Sequence, residues 1–502
     1  MSFFDKQKPA VVMAAYLFGV TIHSFFPLTN IPTLVWWLLA VVFLVFGFLV
    51  FKARLFGHCC LVFGVCLLGL WRFDVAVPAI IQASETQTYT VNVQNVTDGL
   101  YGTQAIVSLV PFAKGDSLDV LHQDRGINSQ TRITLNLKSD IPVGSTIRFS
   151  CALKPVEQKP DELDRRFASR RHQAQAQCTP KELAIISPPA WWDVRQSFAD
   201  LRVWTNRRIM SVLPGEDGAL IAGMLYGERG MSQKSNDLFR RAGLTHLIAV
   251  SGSNITIVAS IVFAVLLGFG LWRRQAFWIT TIILMTYVTF TGFSASVARA
   301  AVMGWLVLLA RQVGRRPRTW HVLLVSAFVL CLIDPWMLAF DAGFALSFLA
   351  TVGLMIWSPV MSRKLNLIPA AGGLREAAAT TASATLMTTP YMAFAFERVS
   401  LAGLITNLIA VPLVPWAMLF GALSAAWGQL PGWQAVSLPA LGVSKIIFWS
   451  ASLANYLPWL SIPMQRMNLI LLVATYALLV YIYFKLRGKK NFSTDERDFC
   501  QK

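Results

Sequence analysis

Charge is scarce in this chain. Only 14% of its 502 residues are Asp, Glu, Lys or Arg, and the 26 acids are outnumbered by 44 bases. A soluble domain of this length exposes far more polar surface, so the composition excludes that class. Histidine is rare too. His23, His58, His122, His172, His246 and His321 are scattered, with no HExxH, no His-x-His-x-Asp-His and no paired CxxC, which leaves no spacing suited to a metal-ligand set. No Walker A or other nucleotide-binding loop is present. The sequence therefore points to no catalytic residue, no metal and no cofactor.

What fills the chain is apolar: 55% of it is hydrophobic. Stretches long enough to cross a bilayer run near 10–27, 32–52, 57–73, 244–270, 276–293, 295–312, 320–333, 338–358, 375–396, 400–426, 436–458 and 466–486. The expected fold class is a polytopic α-helical membrane protein of about 10–12 spans, several interrupted by Gly or Pro, as is common where a path crosses the membrane. The first span lacks a small-residue cleavage site and is read as an uncleaved anchor. Lys6, Lys8, Lys52, Arg54, Arg273, Arg274, Arg311, Arg315, Arg316, Arg318, Arg363, Lys364, Arg487, Lys489 and Lys490 sit in short loops or tails that can share one side. Positive residues stay cytoplasmic, which puts both termini inside a cytoplasmic (inner) membrane and sends residues 83–190 outside. Topology accounts for most of the net charge of +18; the competing account is an electrostatic path for a polyanion.

Residues 83–190 change period. Tyr89–Val96, Gln104–Val110, Arg132–Leu137 and Ser145–Cys151 alternate apolar and polar residues between turn signals, which predicts strands. About a hundred residues with five or so short strands suits a small β-barrel. Cys151 and Cys178 are the two cysteines of this segment, and an oxidising compartment would permit a disulfide between them. Arg165, Arg166, Arg170 and Arg171 form a basic run offered as a DNA contact, but Asp161, Glu162 and Asp164 precede it and the segment is near neutral, so a spacer or docking role competes. Beyond it, Trp191–Met210 alternates Trp, Phe and Leu with Arg at helical spacing, as a helix in the headgroup plane does; the segment from Glu216 to Phe239 is expected to rest at the same interface. The divisions are then 1–82 (three spans), 83–190 (external β domain), 191–242 (interfacial helices), 243–487 (membrane channel domain) and 488–502 (cytoplasmic tail).

The stretch Arg241–Val258, RAGLTHLIAVSGSNITIV, sets His, Ser, Asn and Thr into an apolar span, where such groups face a bundle interior or a water-filled path. On one continuous helix Thr245, His246, Ser253, Thr256 and Ser260 fall within about 100° of one another. The run resembles the signature of the ComEC family of competence DNA-uptake channels, with Asn254 where many members carry a second His. ALIAGMLYGERG (219–230), FRRAGL (239–244), SASVARAAVM (294–303), DPWMLAFDAGFALSF (334–348), and TTPY (388–391) through NLIAVP (407–412) resemble further family blocks in family order. The resemblance implies an OB-like external domain, single-stranded DNA as cargo, a cytoplasmic competence ATPase and a DNA-receptor protein as partners, and an inner-membrane location. Many family members carry a C-terminal metallo-β-lactamase-like domain; with the sequence stopping at Lys502, the expectation is that strand degradation comes from a separate nuclease or that this chain is a fragment or a reduced family form.

Channel-lining candidates are His246, Ser251, Ser253, Asn254, Thr256, Arg299 and Asn407. Arg299 either snorkels or faces an internal cavity. Asp334 precedes Pro335 as an N-cap does, and Asp341, expected within the helix beside Gly343, is a partner for Arg299. Two other function classes stay open. One is a transporter of another anionic polymer or solute. The other is an intramembrane hydrolase using Ser251 and His246, which on an unbroken helix would sit about 140° apart and could not meet.

Overall fold

Apolar runs have no partner for their backbone groups in hydrocarbon except themselves, so they fold as helices, and each of the twelve stretches contains helix in the computed structural model. The structure describes residues 3–25, 33–49, 54–75, 87–99, 102–109, 132–137, 141–152, 154–155, 174–180, 182–188, 193–228, 230–248, 252–291, 295–314, 318–365, 374–428, 434–456, 461–463 and 467–487. Four helical stretches, Ala342–Lys364, Gly403–Trp427, Ser437–Tyr456 and Leu469–Leu486, are long and apolar enough to cross a membrane; Pro9–Ser24, Leu34–Phe46, Val258–Gly268, Val297–Ala310 and Thr319–Ile333 are shorter apolar helices. This is the architecture of an α-helical membrane protein. By packing the chain divides into two units, one of Met1–Asp237, Thr245–Ala345 and Pro412–Ile447, the other of Leu238–Leu244, Leu346–Val411 and Phe448–Lys502.

In the first unit α1 (Phe3–Phe25), α2 (Thr33–Leu49) and α3 (Arg54–Val75) form a three-helix group. A Cβ on Gly19 would collide with the Cys66 carbonyl, and one on Gly69 with the Tyr16 carbonyl. Glycine thus lets α1 and α3 touch backbone to backbone, the usual device where lipid offers no hydrophobic drive for association.

Among the described residues the polar segment holds seven strands: β1 Gln87–Gly99, β2 Gly102–Leu109, β3 Arg132–Leu137, β4 Thr146–Cys151, β5 Lys154–Pro155, β6 Ala174–Cys178 and β7 Glu182–Ser187. They make one sheet in the order β5-β6-β3-β2-β1-β4-β7, antiparallel except for the parallel β3–β6 pair. The first four match the expected alternation. The last three escaped it because their runs, such as AQAQC, carry little apolar periodicity. Tyr89, Val91 and Val93 alternate inward along β1 and join Leu135, Ile147, Phe149, Cys151 and Cys178 in one core. The sheet is strongly curled. Cys151 on β4 and Cys178 on β6 are joined by a disulfide with Cα atoms 6.4 Å apart, whereas strands four places apart in a flat sheet lie about 19 Å apart at about 4.8 Å per strand. Among the described residues no pairing joins the edge strands β5 and β7, so the expected closed barrel is seen only as this curled sheet.

The rest of the first unit runs through α4 (Val194–Val212), α5 (Glu216–Tyr226), α6 (Gln233–Arg241, shared with the second unit), α7 (Thr245–Ile248), α8 (Gly252–Gly268), α9 (Arg273–Phe290), α10 (Ala295–Gln312), α11 (Thr319–Ile333), α12 (Met337–Phe340) and the start of α13 (Ala342–Lys364). One expected span, 338–358, is divided among the described residues into α12 and α13, whereas the described parts of 244–270 are α7 and α8. The interfacial expectation for 191–242 also divides. α4 exposes Val194, Leu201, Val203 and Trp204, as an interfacial helix does, but α5 is buried from Asp217 through Met224 and again at Tyr226. Its ALIAGML core is too apolar to lie at a wet surface.

The second unit holds most of α13, α14 (Leu374–Phe396), β8 (Arg398–Ser400), α15 (Gly403–Ala410), β9 (Ser461–Pro463) and α18 (Leu469–Arg487). α16 (Val414–Trp427) belongs to the first unit, and α17 (Ser437–Tyr456) is divided between the two. In the second unit β8 pairs antiparallel with β9, the Tyr476 hydroxyl donates to the Met387 carbonyl at 2.9 Å, and Gly353 seats α13 against the Ser383 carbonyl of α14.

Candidate functional site

The end of α7 and the first turn of α8 are docked on the end of α5. A helix leaves its last carbonyls unpaired, and at the buried end of α5 side chains from other helices take them up. The Asn254 amide donates to the Met224 carbonyl at 3.1 Å, and the Tyr287 hydroxyl on α9 donates to the Leu225 carbonyl in a short hydrogen bond. Gly223 lies so close to the Ile248 carbonyl of α7 that no side chain fits between them. Tyr226 turns the other way and donates to Asn206 of α4 at 2.9 Å. Burial first and the Glu228 carboxylate second push its hydroxyl well above the usual range, so it stays a protonated donor. The start of α5 is fixed as firmly: Asp217, 6% exposed, accepts from the Ser444 hydroxyl at 2.8 Å and meets Lys445 Nζ at 2.7 Å.

The candidate residues fall out as follows. Asn254 is 1% exposed and ties α8 to α5. His246 is exposed as the second residue of α7. Residues 249–251, which link α7 to α8, lie outside the described residues, and the shared polar face expected for 244–262 rests on them. Within α8, Ile255 and Ala259 pack with Leu284, Val288, Val297, Ala300 and Ala301, and Ser260 is exposed. Ser251 lies outside the described residues, as do the side chains of Ser253 and Thr256 and the basic run Arg165, Arg166, Arg170 and Arg171.

Arg299 on α10 is 3% exposed, Asp341 5%, and their charged groups are 3.6 Å apart. Asp341 is not inside a helix as expected. It stands between α12 and α13, where its carboxylate accepts the Phe344 N–H at 2.9 Å as an N-cap of α13. One carboxylate thus serves a guanidinium and a helix terminus, and Gly343 has no room for a side chain beyond contact with both. Asp334 closes α11 and accepts the Trp336 N–H at 3.0 Å, so it shapes the turn ahead of α12 instead of capping a helix that begins at Pro335.

Asn407 belongs to the second unit. It lies on α15, which meets the turn after α6 at two glycines: Gly243, with φ of +71°, and Gly403 approach to backbone contact. The Thr406 and Ser400 hydroxyls donate to the carbonyls of Ala242 and Arg241, each at 2.7 Å, and the Asn407 Oδ1 is buried without a hydrogen-bond partner among the described residues. Among those residues, too, no three His, Cys, Asp or Glu side chains gather in a group that could hold a metal. Sequence reasoning missed Tyr287, Asp217 and Ser444. The available signal was a tyrosine hydroxyl inside an apolar helix, which needs a partner once buried.

The sequence model of the Competence protein family matches residues 224–489, more than half of the chain and all of α7 through α18. The chain belongs to the competence protein family. Two curated relatives agree with the ComEC-type assignment. ComE operon protein 3 of Bacillus subtilis (strain 168) is 28% identical over 229 residues, 44% of this chain and 29% of that protein. Recombination protein 2 of Haemophilus influenzae (strain ATCC 51907 / DSM 11121 / KW20 / Rd) is 26% identical over 289 residues, 50% of this chain and 34% of that one. The match thus spans about a third of each relative. No solved structure matches this competence protein.

Proposed function

We propose that this competence protein is a channel that passes single-stranded DNA through the cytoplasmic membrane during natural transformation, without enzymatic activity of its own. The observation that carries the proposal is the family match over 224–489, which contains α7 and α8, the break between α12 and α13 with its Arg299–Asp341 pair, and Asn407. Phosphates crossing a low-dielectric bundle need polar groups along the way, and helix breaks supply them where backbone groups line a cavity. In this reading His246, Ser251, Ser253 and Thr256 line the path, while Asn254 and Arg299, being buried and engaged, hold its wall; Asn407, in the second unit, is a separate candidate. Inward movement is assigned to a cytoplasmic ATPase and DNA delivery to a receptor protein.

The external sheet takes the OB-like role. β4 and β5 are separated by two residues, β4 pairs with β1 and β5 with β6. Treated as one bent strand they close the ring β1-β2-β3-β6-β5/β4, a five-stranded barrel of the kind that holds single strands. The test is uptake of labelled DNA by a deletion strain carrying this gene. Restored internalisation is expected; restored transport of a different anionic solute without DNA would replace the proposal.

A further inference from the structure

The hairpin of α4 and α5 lies across one end of the helices α8, α9 and α16. Its contacts identify the end. Asn254 is in the first turn of α8, Tyr287 and Phe290 are in the last turn of α9, and the Arg208 guanidinium on α4 donates to the Ala425 and Ala426 carbonyls near the C-terminus of α16, each at 3.4 Å. The opposite ends of α8 and α9 meet at Arg273 and Arg274, which the positive-inside rule keeps cytoplasmic. The hairpin is therefore at the outer end.

It is built in two layers. α4 carries exposed Leu201, Val203 and Trp204, with Arg208 over the Trp204 ring at 4.3 Å, the amphipathic pairing that suits a headgroup plane. Beneath it α5 is an eleven-residue helix, about 16 Å long and so only half the length needed to cross the hydrocarbon. The layers are tied to each other by Tyr226 and Asn206, and a Gly215 at φ +77° makes the turn between them. The ties from the hairpin to the bundle are of another kind. They are discrete polar contacts at the two ends of α5, Asp217 with Ser444 and Lys445 at one, Asn254 and Tyr287 with backbone carbonyls at the other. Between them α5 rests on glycine, Gly421 beneath Ile221 and Gly223 against Ile248. Water can replace each polar tie, and what a lifted lid would newly expose is the short apolar run of α5 from Ala219 through Met224.

We propose that the α4–α5 hairpin is a lid on the outer end of this bundle, latched at both ends of α5, which must lift for cargo to enter. The nature of the cargo rests on the DNA-channel proposal; the lid itself does not. A Cβ on Gly421 would stand 3.7 Å from that of Ile221, the separation a disulfide takes, so Ile221→Cys with Gly421→Cys staples the lid shut in the full-length protein. Uptake by the oxidised variant should fall about tenfold or more and return on reduction, with wild type carried through the same treatments; local opening of this kind is what a cross-link abolishes. Wild-type uptake by the cross-linked protein would overturn the lid.

A second measurement needs no DNA. Combining Tyr287→Phe and Asn254→Leu should raise labelling of Ala222→Cys, a site that is 0% exposed in the native protein, by an impermeant maleimide about tenfold, as expected for two lost hydrogen bonds, read at that peptide by mass spectrometry. Unchanged labelling overturns the lid, including where the stapled variant fails to accumulate. Increased labelling in a protein that imports no DNA keeps the lid and removes the channel proposal.

Discussion

Arg299 and Asp341 show what a charge costs and contributes inside this bundle. A buried ion pair is not in itself a large source of stability, but removing one partner leaves the other charge uncompensated, typically at about 3–5 kcal/mol. Asp341 has a second duty, the Phe344 N–H. Arg299→Met is therefore expected to lower the melting temperature sharply in detergent. Adding Asp341→Asn should recover most of the loss, because Asn needs no cation and still accepts the helix N–H, as N-cap residues do. Asp341→Leu, which abolishes the cap, should not recover it. Equal melting of Arg299→Met and wild type would show that the pair adds nothing to the fold.

At the scale of elements, the curled sheet and the glycine crossing of α1 with α3 each hang on a few positions. The disulfide closes a loop of sequence separation 27, for which chain entropy gives about 3 kcal/mol. Cys151→Ser should lower the stability of the strand domain by that order, checked by limited proteolysis of 83–190 with and without reductant, and non-reduced peptide mapping of the wild type should find Cys151 linked to Cys178. Gly69→Val places branched carbons where the Tyr16 carbonyl lies. It should force α1 from α3 and cut membrane abundance severalfold, whereas Gly442→Ala, which has open space around it, should leave abundance unchanged.

For the whole molecule the main prediction is topological. Reporter fusions after Gln82 and after Lys490 should report outside and inside respectively, since the short loops carry their Lys and Arg on one side. A cytoplasmic report at Gln82 would invert the molecule and move the α4–α5 hairpin to the inner end. Transport is the second test. His246→Leu and Asn407→Leu should each lower internalised DNA, normalised to membrane abundance, if their segments line the path; wild-type uptake by both would place the path elsewhere.

Hydrophobic run length and period determined much of this protein by themselves. The twelve apolar stretches, the first four strands and the Cys151–Cys178 pair were legible because membrane burial and sheet burial each impose a pattern on neighbouring residues. The family blocks were legible as well. The break in 338–358 was not. An apolar run reads as one span whether or not it is interrupted, and this one divides into α12 and α13 only in the structure. The same holds for Asp341, whose place between α12 and α13 depends on Arg299, 42 positions earlier in the chain. The burial of α5 was not legible for the converse reason. Short and flanked by polar residues, it looked interfacial, and only tertiary structure supplies the apolar neighbours that bury it and the donors that satisfy its final carbonyls. Local sequence encodes a residue's preference for water or hydrocarbon; which unpaired backbone group meets which distant side chain is decided only when the helices pack.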